Sequence, residues 1–327
     1  MNLIDGIKGN KFVVFGRAGM DMFAEPIGTK SEFSESFRSD LGGSSANICA
    51  GLCKLGSEAS LVTSVSNDAI GRFCINRLNY YGVGTEYVKS VAGEFRTSLA
   101  IYESCIDNFQ NVIYRNGAAD FEVKPSEMDE VDYSQFTALI TAGTVFAGQP
   151  SRDATFRAFE NARAQGIPVI FDIDYRANAW PNAAAAALRM RPEFAQADIL
   201  VGNNDEFTVM CGGDEAKGLA AARAHAETGQ LVLYKRGELG CISLYQEHVI
   251  ETGIFPVTPA KPFGAGDAFL GNFLIRLSLD GDVHSAVLRG SAAAAYVVAR
   301  VGCASAMPDK QQLDDFMFSH KITNPNK

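Results

Sequence analysis

No segment of this chain reads GxxxxGK[ST], and no GxGxxG follows an expected strand, so neither a Walker phosphate loop nor a dinucleotide-binding turn is present. That excludes a nicotinamide-type oxidoreductase, and any nucleotide must be held by another arrangement. CxxC pairs are absent too. The seven cysteines (49, 53, 74, 105, 211, 241 and 303) are odd in number, and the four histidines lie far apart. A disulfide scaffold and a zinc site are therefore not expected. Cys49 and Cys53 fall one helical turn apart on an apolar stripe, where buried thiols are the natural reading. No apolar run approaches the roughly 18 residues of a membrane span, and the opening MNLIDGIKGNK has no signal core. A reducing cytoplasm without membrane contact is the expected setting. Basic runs are also missing from a chain of formal charge −9, which argues against nucleic acid as a partner.

What is present is a regular alternation of short apolar strands with helices. Strands are expected at Phe12–Phe15, Ala59–Ser64, 138–143, 168–174, 197–203 and 231–237. Helices are expected over Ser44–Leu55, Ala69–Tyr81, Asp153–Gln165, an alanine-rich segment after Trp180, and two long segments reaching about Arg300. Two β-rich intervals, about 22–42 and 94–116, break the rhythm, the second containing a hairpin over 97–103 and 111–114. A further hairpin is expected around 241–251. The pattern predicts an α/β fold: a three-layer α/β/α sandwich with a mostly parallel sheet and a small β-rich lid. We expect a single domain over 1–320, with 321–327 as a tail. Ligands of such sheets lie beyond the carboxyl ends of the strands.

Two segments carry chemistry. In Lys261-Pro-Phe-Gly-Ala-Gly-Asp-Ala-Phe269, Gly264 and Gly266 flank Ala265, and Asp267 stands where a helix begins. The open amides of a helix N-terminus attract anions, so Asp267 is a carboxylate set inside an anion cradle. Phosphoryl transfer needs such donors together with a base for the attacking hydroxyl. Earlier, Leu41-Gly-Gly-Ser-Ser-Ala-Asn47 places Gly42 and Gly43 before a helix and Asn47 one turn inside it. Taken alone, each segment is equally a plain turn at a helix entry.

Together, in this order and about 220 residues apart, the two segments resemble the ribokinase-like (PfkB) carbohydrate kinases. Other matches run along the chain: Gly16-Arg-Ala-Gly-Met-Asp21, Asn203-Asn-Asp-Glu206, Lys235-Arg-Gly-Glu-Leu-Gly240 and Val301–Pro308. The resemblance implies ATP and Mg²⁺ as cofactors, with Asp267 as catalytic base aided by Gly264, Ala265, Gly266 and Arg176. It implies a sugar site of Asp21, Gly42, Gly43, Asn47, Tyr102, Arg115 and Arg176. Asp174, Asn203, Lys235, Gly237, Gly240, Gly264 and Gly266 would face the nucleotide. Glu206 and Asn203 would organise magnesium through water, and the 301–308 loop would lie beside the adenine. For Asn203–Glu206 a simple helix cap is an equally open reading.

Tyr114-Arg-Asn-Gly-Ala-Ala-Asp120 and Asp172-Ile-Asp-Tyr-Arg176 supply two arginines, which a neutral sugar does not require and a carboxylate does. These stretches resemble the branch of the family that phosphorylates keto-deoxy sugar acids. The 5-keto and 2-keto acids, a hexose, a nucleoside and a non-catalytic sugar-acid sensor all remain open on the residues alone. Relatives commonly carry Asp-Thr where this chain has Lys261-Pro262-Phe263. A monovalent cation is thus doubtful; the Lys261 ammonium either takes its role or simply faces solvent, and both readings stay open on the residues alone. An exposed lid edge makes a homodimer the expected assembly.

Overall fold

The structure is a computed structural model that describes residues 7–104, 110–260 and 263–323. Its strands are β1 (Lys11–Phe15), β2 (Gly19–Glu25), β3 (Ser36–Gly42), β4 (Glu58–Ser66), β5 (Val88–Val91), β6 (Ser98–Tyr102), β7 (Asn111–Tyr114), β8 (Ala138–Ala142), β9 (Val169–Asp172), β10 (Ile199–Asn203), β11 (Leu231–Lys235), β12 (Cys241–Tyr245) and β13 (His248–Thr252). The helices are α1 (Ser44–Lys54), α2 (Ala69–Tyr80), α3 (Pro125–Met128), α4 (Ser151–Gln165), α5 (Ala183–Met190), α6 (Asn204–Met210), α7 (Glu215–Glu227), α8 (Ala265–Asp280), α9 (Val283–Val298) and α10 (Lys310–Ser319).

Nine strands form one sheet in the order β13-β12-β11-β10-β9-β8-β1-β4-β5. Its members are parallel from β5 to β11, and β12 alone is reversed, pairing antiparallel with both β11 and β13. The central strands are apolar at nearly every position because both faces are covered. Strand alternation sorts their side chains between two cores. Phe12 and Val14 join Ile48 and Leu52 of α1, Leu270 and Phe273 of α8 and Val287 of α9. Val13 and Phe15 face the other way, toward Ala154 and Ala158 of α4, Met190 of α5, Phe207 of α6 and Ala222 of α7. The result is the expected α/β/α sandwich.

A second sheet, β3-β2-β6-β7, lies over the carboxyl ends of the main strands. It combines the 19–25 and 36–42 segments with the 98–102/111–114 hairpin, whose two strands pair antiparallel. The hinge between the sheets is short: after β1 the chain needs only Gly16–Ala18 to enter β2. The helix α10 and strand β5 are not expected from the sequence. The β5 strand is four residues long and only half-buried, so it carries little apolar signal.

One buried carboxylate fastens the lid to the body. Asp40 of β3 accepts hydrogen bonds from the Cys303 amide (2.7 Å), the Ser305 amide (3.2 Å) and the Ser305 hydroxyl (2.7 Å), and is 3% exposed. This capture also brings the 301–306 loop to the lid side of the cleft, which Cys303 lines together with Asp21. Replacing Asp40 by alanine leaves these buried donors without an acceptor, and we expect a loss of about 2–3 kcal/mol, read as a lower urea midpoint with an unchanged m-value.

Candidate active site

A cavity of about 980 Å³ opens between the lid and the carboxyl edge of the large sheet. Four strands of the large sheet deliver polar side chains to it as they end: Arg17 just past β1, Asp172 and Asp174 at β9, Asn203 at β10, and Lys235 at β11. The α8 N-terminus enters from the other covering layer. Every residue assigned a site role from the sequence lines this cavity except Gly42, which lies just beneath it.

Gly264 adopts a left-handed conformation (φ 78°) that turns the chain into α8. The first return bond of the helix runs from the Ala268 amide to the Gly264 carbonyl (3.0 Å), so the amides of Ala265, Gly266 and Asp267 have no partner within the helix. They form the anion cradle. A side chain at Gly266 would meet only the Lys235 ammonium, 3.6 Å away, so cradle and ammonium share one opening.

Asp267 sits within this opening at 8% exposure. Its Oδ1 accepts from the Ser44 hydroxyl (2.7 Å) and its Oδ2 from the Asn47 amide (2.9 Å). Both donors come from the first turn of α1, whose cap is Gly43 rather than the expected serine. Ser44 is therefore a site residue that the sequence reading missed; its hydroxyl is taken up by the carboxylate, not by its own helix. Burial, with a contribution from Asp174, pushes the Asp267 carboxyl up to about 6 despite these hydrogen bonds.

The glycine pair has a steric cause. A Cβ on Gly42 would lie 1.9 Å from Asp21 Oδ1, and Gly43 (φ 95°) would press its Cβ to 2.3 Å from the Arg17 carbonyl. The pair lets Asp21 lie flat against β3. Asp21 is 1% exposed, its Oδ1 has no hydrogen-bond partner, and burial raises it to about 6 although Arg17 nearby opposes the shift. Tyr102 stacks on Phe23 (5.1 Å) and meets Phe263 (4.4 Å), making an aromatic wall for this half of the cavity.

The arginines differ in how far their charge is already spent. Arg176 is half-exposed in the cleft and pairs with Asp174 (2.6 Å), whose left-handed backbone (φ 36°) aims its carboxylate there. Arg115 is buried against Asp120 (2.5 Å), donates to the Thr144 carbonyl (3.1 Å) and lies over the Phe121 ring (4.3 Å). Arg17 also lines the cavity and donates to Ser98 of β6 (2.8 Å). It belongs to the GRAGMD segment, in which the sequence reading gives a role to the aspartate alone.

Lys235 pairs with Asp172 (3.7 Å). Its burial works against the charge, but Asp172 and Glu206 outweigh that and hold the ammonium protonated. Glu206 is buried, which lifts its carboxyl to about 7, with Asp172 adding to the effect. Both its oxygens are occupied: Oε1 by the Tyr175 amide (3.1 Å) and Oε2 by the Asn203 amide (2.7 Å). The Asn203 Oδ1 in turn accepts from the Glu206 amide (2.8 Å), completing a capping box. Among the described residues no cluster of three or more His, Cys, Asp or Glu is arranged to cage a metal. Lys261 and Pro262 lie outside the described residues.

The pattern of pfkB family carbohydrate kinases matches residues 10–310. The chain belongs to this family. As a pfkB kinase it is a phosphotransferase acting on a sugar hydroxyl. It is 34% identical over 310 residues (93% of this chain, 94% of the relative) to the 5-dehydro-2-deoxygluconokinase of Photobacterium profundum. To the enzyme of the same name from Geobacillus kaustophilus it is 31% identical over 315 residues (95% and 94%). Its fold is shared with a fructokinase with bound ATP from Xylella fastidiosa (TM-score 0.83, 22% identity, 94% and 98% covered). A fructokinase double mutant from Vibrio cholerae O395, in a fructose-, ADP- and potassium-bound form, is equally similar (0.83, 22%, 95% and 99%).

The raised Asp267 carboxyl has a measurable cost in stability. Its folded value lies above the unfolded one of 3.8. The folded state is therefore favoured below the unfolded value, and that advantage is lost as pH rises through about 6. Asp267→Asn removes the buried charge, so at pH above that range this variant should unfold at higher denaturant than wild type, by about 1–3 kcal/mol. The gap should close as the solution is acidified past both values; urea titrations at several pH values read it.

Proposed function

We propose that this kinase transfers the γ-phosphoryl of ATP to the primary hydroxyl of a keto-deoxy-gluconate, with 5-dehydro-2-deoxygluconate, an intermediate of inositol catabolism, as its substrate. The observation that carries the reading is the Asp267 carboxylate, buried at the amide end of α8 and fixed by Ser44 and Asn47. The names of the relatives at 31–34% identity support the choice of acid.

In this reading the sugar lies in the lid half of the cavity. Asp21, with its open Oδ1, and Asn47, whose Oδ1 also has no partner, accept sugar hydroxyls. Tyr102 covers one face and Arg115 belongs to the carboxylate's surroundings. Asp267 takes the proton of the attacking hydroxyl as the oxygen moves onto phosphorus, and the leaving ADP oxygen departs on the opposite side. The amides of Ala265–Asp267, with Lys235 and Arg176, stabilise charge on the transferring group. Asp174, Gly237 and Gly240 border the nucleotide, whose base meets Val257, Pro259 and Val298.

The residues present fit a magnesium ion carried on the triphosphate rather than one caged by protein. Both Glu206 oxygens already accept amides, leaving Asn203 and Glu206 to act through a water shell, and the ion when bound would neutralise phosphate charge. For the monovalent cation we keep the substitution at Lys261 as the deciding feature. A homodimer is supported by the exposed face of β7, where Val112 and Tyr114 are 46% and 60% exposed.

Asp267→Asn should lower kcat by about 10²–10⁴ with ATP affinity retained; a variant that kept most of its turnover would refute the assignment. In the wild type kcat/KM should fall as pH drops below about 6, the value to which burial raises the Asp267 carboxyl. The coupled ADP-release assay that measures both should be run over 5-dehydro-2-deoxygluconate, 2-keto-3-deoxygluconate, fructose and a nucleoside. Potassium added to a potassium-free assay should change the rate less than twofold (roughly the threshold of ordinary ionic-strength effects); strong stimulation would remove the role given to Lys261.

A further inference from the structure

A sugar acid brings a carboxylate into a cavity where most cations are already paired. Arg115 is tied to Asp120, to the Thr144 carbonyl and to the face of Phe121; its side chain is only 9% exposed, and the one nitrogen left without a partner, Nε, is buried. Arg176 is held by Asp174 and stands on the phosphate side of the cleft, near Asp267 and Glu206. Lys235 is paired with Asp172 beneath the anion cradle. Arg17 is different. It makes no ion pair among the described residues, and the side-chain bond it does make, from one terminal nitrogen to Ser98, spends a single donor of the five on a guanidinium.

Its place is also different. Arg17 lines the cavity together with Asp21 and bonds Ser98 of lid strand β6, so the guanidinium lies in the lid half of the cavity, where the sugar is proposed to bind. Its backbone is fixed between the two motifs: the Arg17 carbonyl accepts from the Ala46 amide of α1 (3.2 Å) and abuts Gly43. The Ser98 bond ties the side chain to lid strand β6. A guanidinium held at both ends, with donors to spare beside an acceptor-only aspartate, suits a ligand that offers a carboxylate next to a hydroxyl. Asp21 receives the hydroxyl, and Arg17 lies close enough to offset repulsion between Asp21 and the ligand's acid.

We propose that Arg17 is the residue that anchors the carboxylate of the substrate and so selects sugar acids over neutral sugars. The inference rests on the sugar-acid reading above and names the group that enforces it, in preference to Arg115. Arg115, in turn, is a positioning residue that holds the 114–120 loop through Asp120.

The test compares wild type with Arg17→Ala, Arg17→Lys, Ser98→Ala and Arg115→Ala, using 5-dehydro-2-deoxygluconate, 2-keto-3-deoxygluconate and fructose as acceptors. Arg17→Ala should raise KM for the preferred acid about 10–100-fold, the value of lost charge-assisted hydrogen bonds, with a far smaller change in kcat. The acid-to-fructose ratio of kcat/KM should collapse by a similar factor. Arg17→Lys should recover part of the loss, because the charge returns without the fork. Ser98→Ala should raise KM only a few-fold (about the worth of one neutral tether). Calorimetric ATP binding reports whether each variant is folded; should the alanine variant fail it, Arg17→Lys and Arg17→Gln carry the comparison. An acid-selective wild type whose KM is unmoved by Arg17 substitution, or moved only by Arg115→Ala, overturns the proposal and leaves the sugar-acid reading intact. A wild type that prefers fructose over both acids overturns the sugar-acid reading, and this proposal with it.

Discussion

The arrangement of the site depends on one buried charge held between two helix ends. Asp267 is placed at the start of α8, where unpartnered amides favour an anion, yet its side chain is bound by Ser44 and Asn47 from the start of α1. These two helices cover the same face of the sheet and share the core of Ile48, Leu52, Leu270 and Phe273. Packing of that core therefore fixes the carboxylate to within hydrogen-bond tolerance. A catalytic base, the role proposed for Asp267, must be desolvated enough to raise its proton affinity and held firmly enough to aim, and burial between two helix termini suits both demands.

The lid obeys a related constraint. Asp21 and Asp40 are both buried in the lid sheet, on strands that pair directly across from one another. Asp40 is saturated by donors of the 301–306 loop, and this fastens the sheet. Asp21 lines the cavity and keeps one oxygen, Oδ1, without a hydrogen-bond partner. Two carboxylates at one register thus divide the work: the first is spent on structure, and the second retains its capacity for a ligand. The glycine pair makes the division possible, since any side chain at Gly42 would displace the Asp21 carboxylate.

Much of this was legible in the sequence, for reasons that differ by residue. The GAGD turn and the GG…N segment are readable because glycine before a helix, followed by a carboxylate or amide, opens the backbone amides to an anion and sets a polar group beside them. The sheet is readable because strands buried on both faces are short, apolar and punctuated. Ser44 was misjudged because a serine at a helix start ordinarily caps its own helix, whereas here the partner is 223 residues away. Arg17 and Asp172 were passed over because lone charged residues after strands have no local signature; only the fold makes one line the sugar half and pairs the other with Lys235. Asn203–Glu206 shows the opposite ambiguity. The capping box and the site residue are the same four residues, because a cap at the carboxyl end of a central strand necessarily faces the ligand cleft.

Charge balance in the cleft imposes a further constraint. Among the described residues its lining carries six carboxylates, Asp21, Asp172, Asp174, Glu206, Glu238 and Asp267, against four cations, Arg17, Arg115, Arg176 and Lys235. Asp21, Glu206 and Asp267 are each raised above their ordinary range by burial, with neighbouring acids adding to the effect. A polyanionic nucleotide cannot favourably enter an acidic, poorly solvated cavity as a bare ion. The cradle and Lys235 offset part of that charge, and a divalent cation arriving with the phosphates would offset more while relieving the carboxylates that line its path. An acid substrate adds one more negative charge to this balance. In the proposed reading it is accommodated where a cation in the lid half still has donors to give, as Arg17 does with only one spent on Ser98.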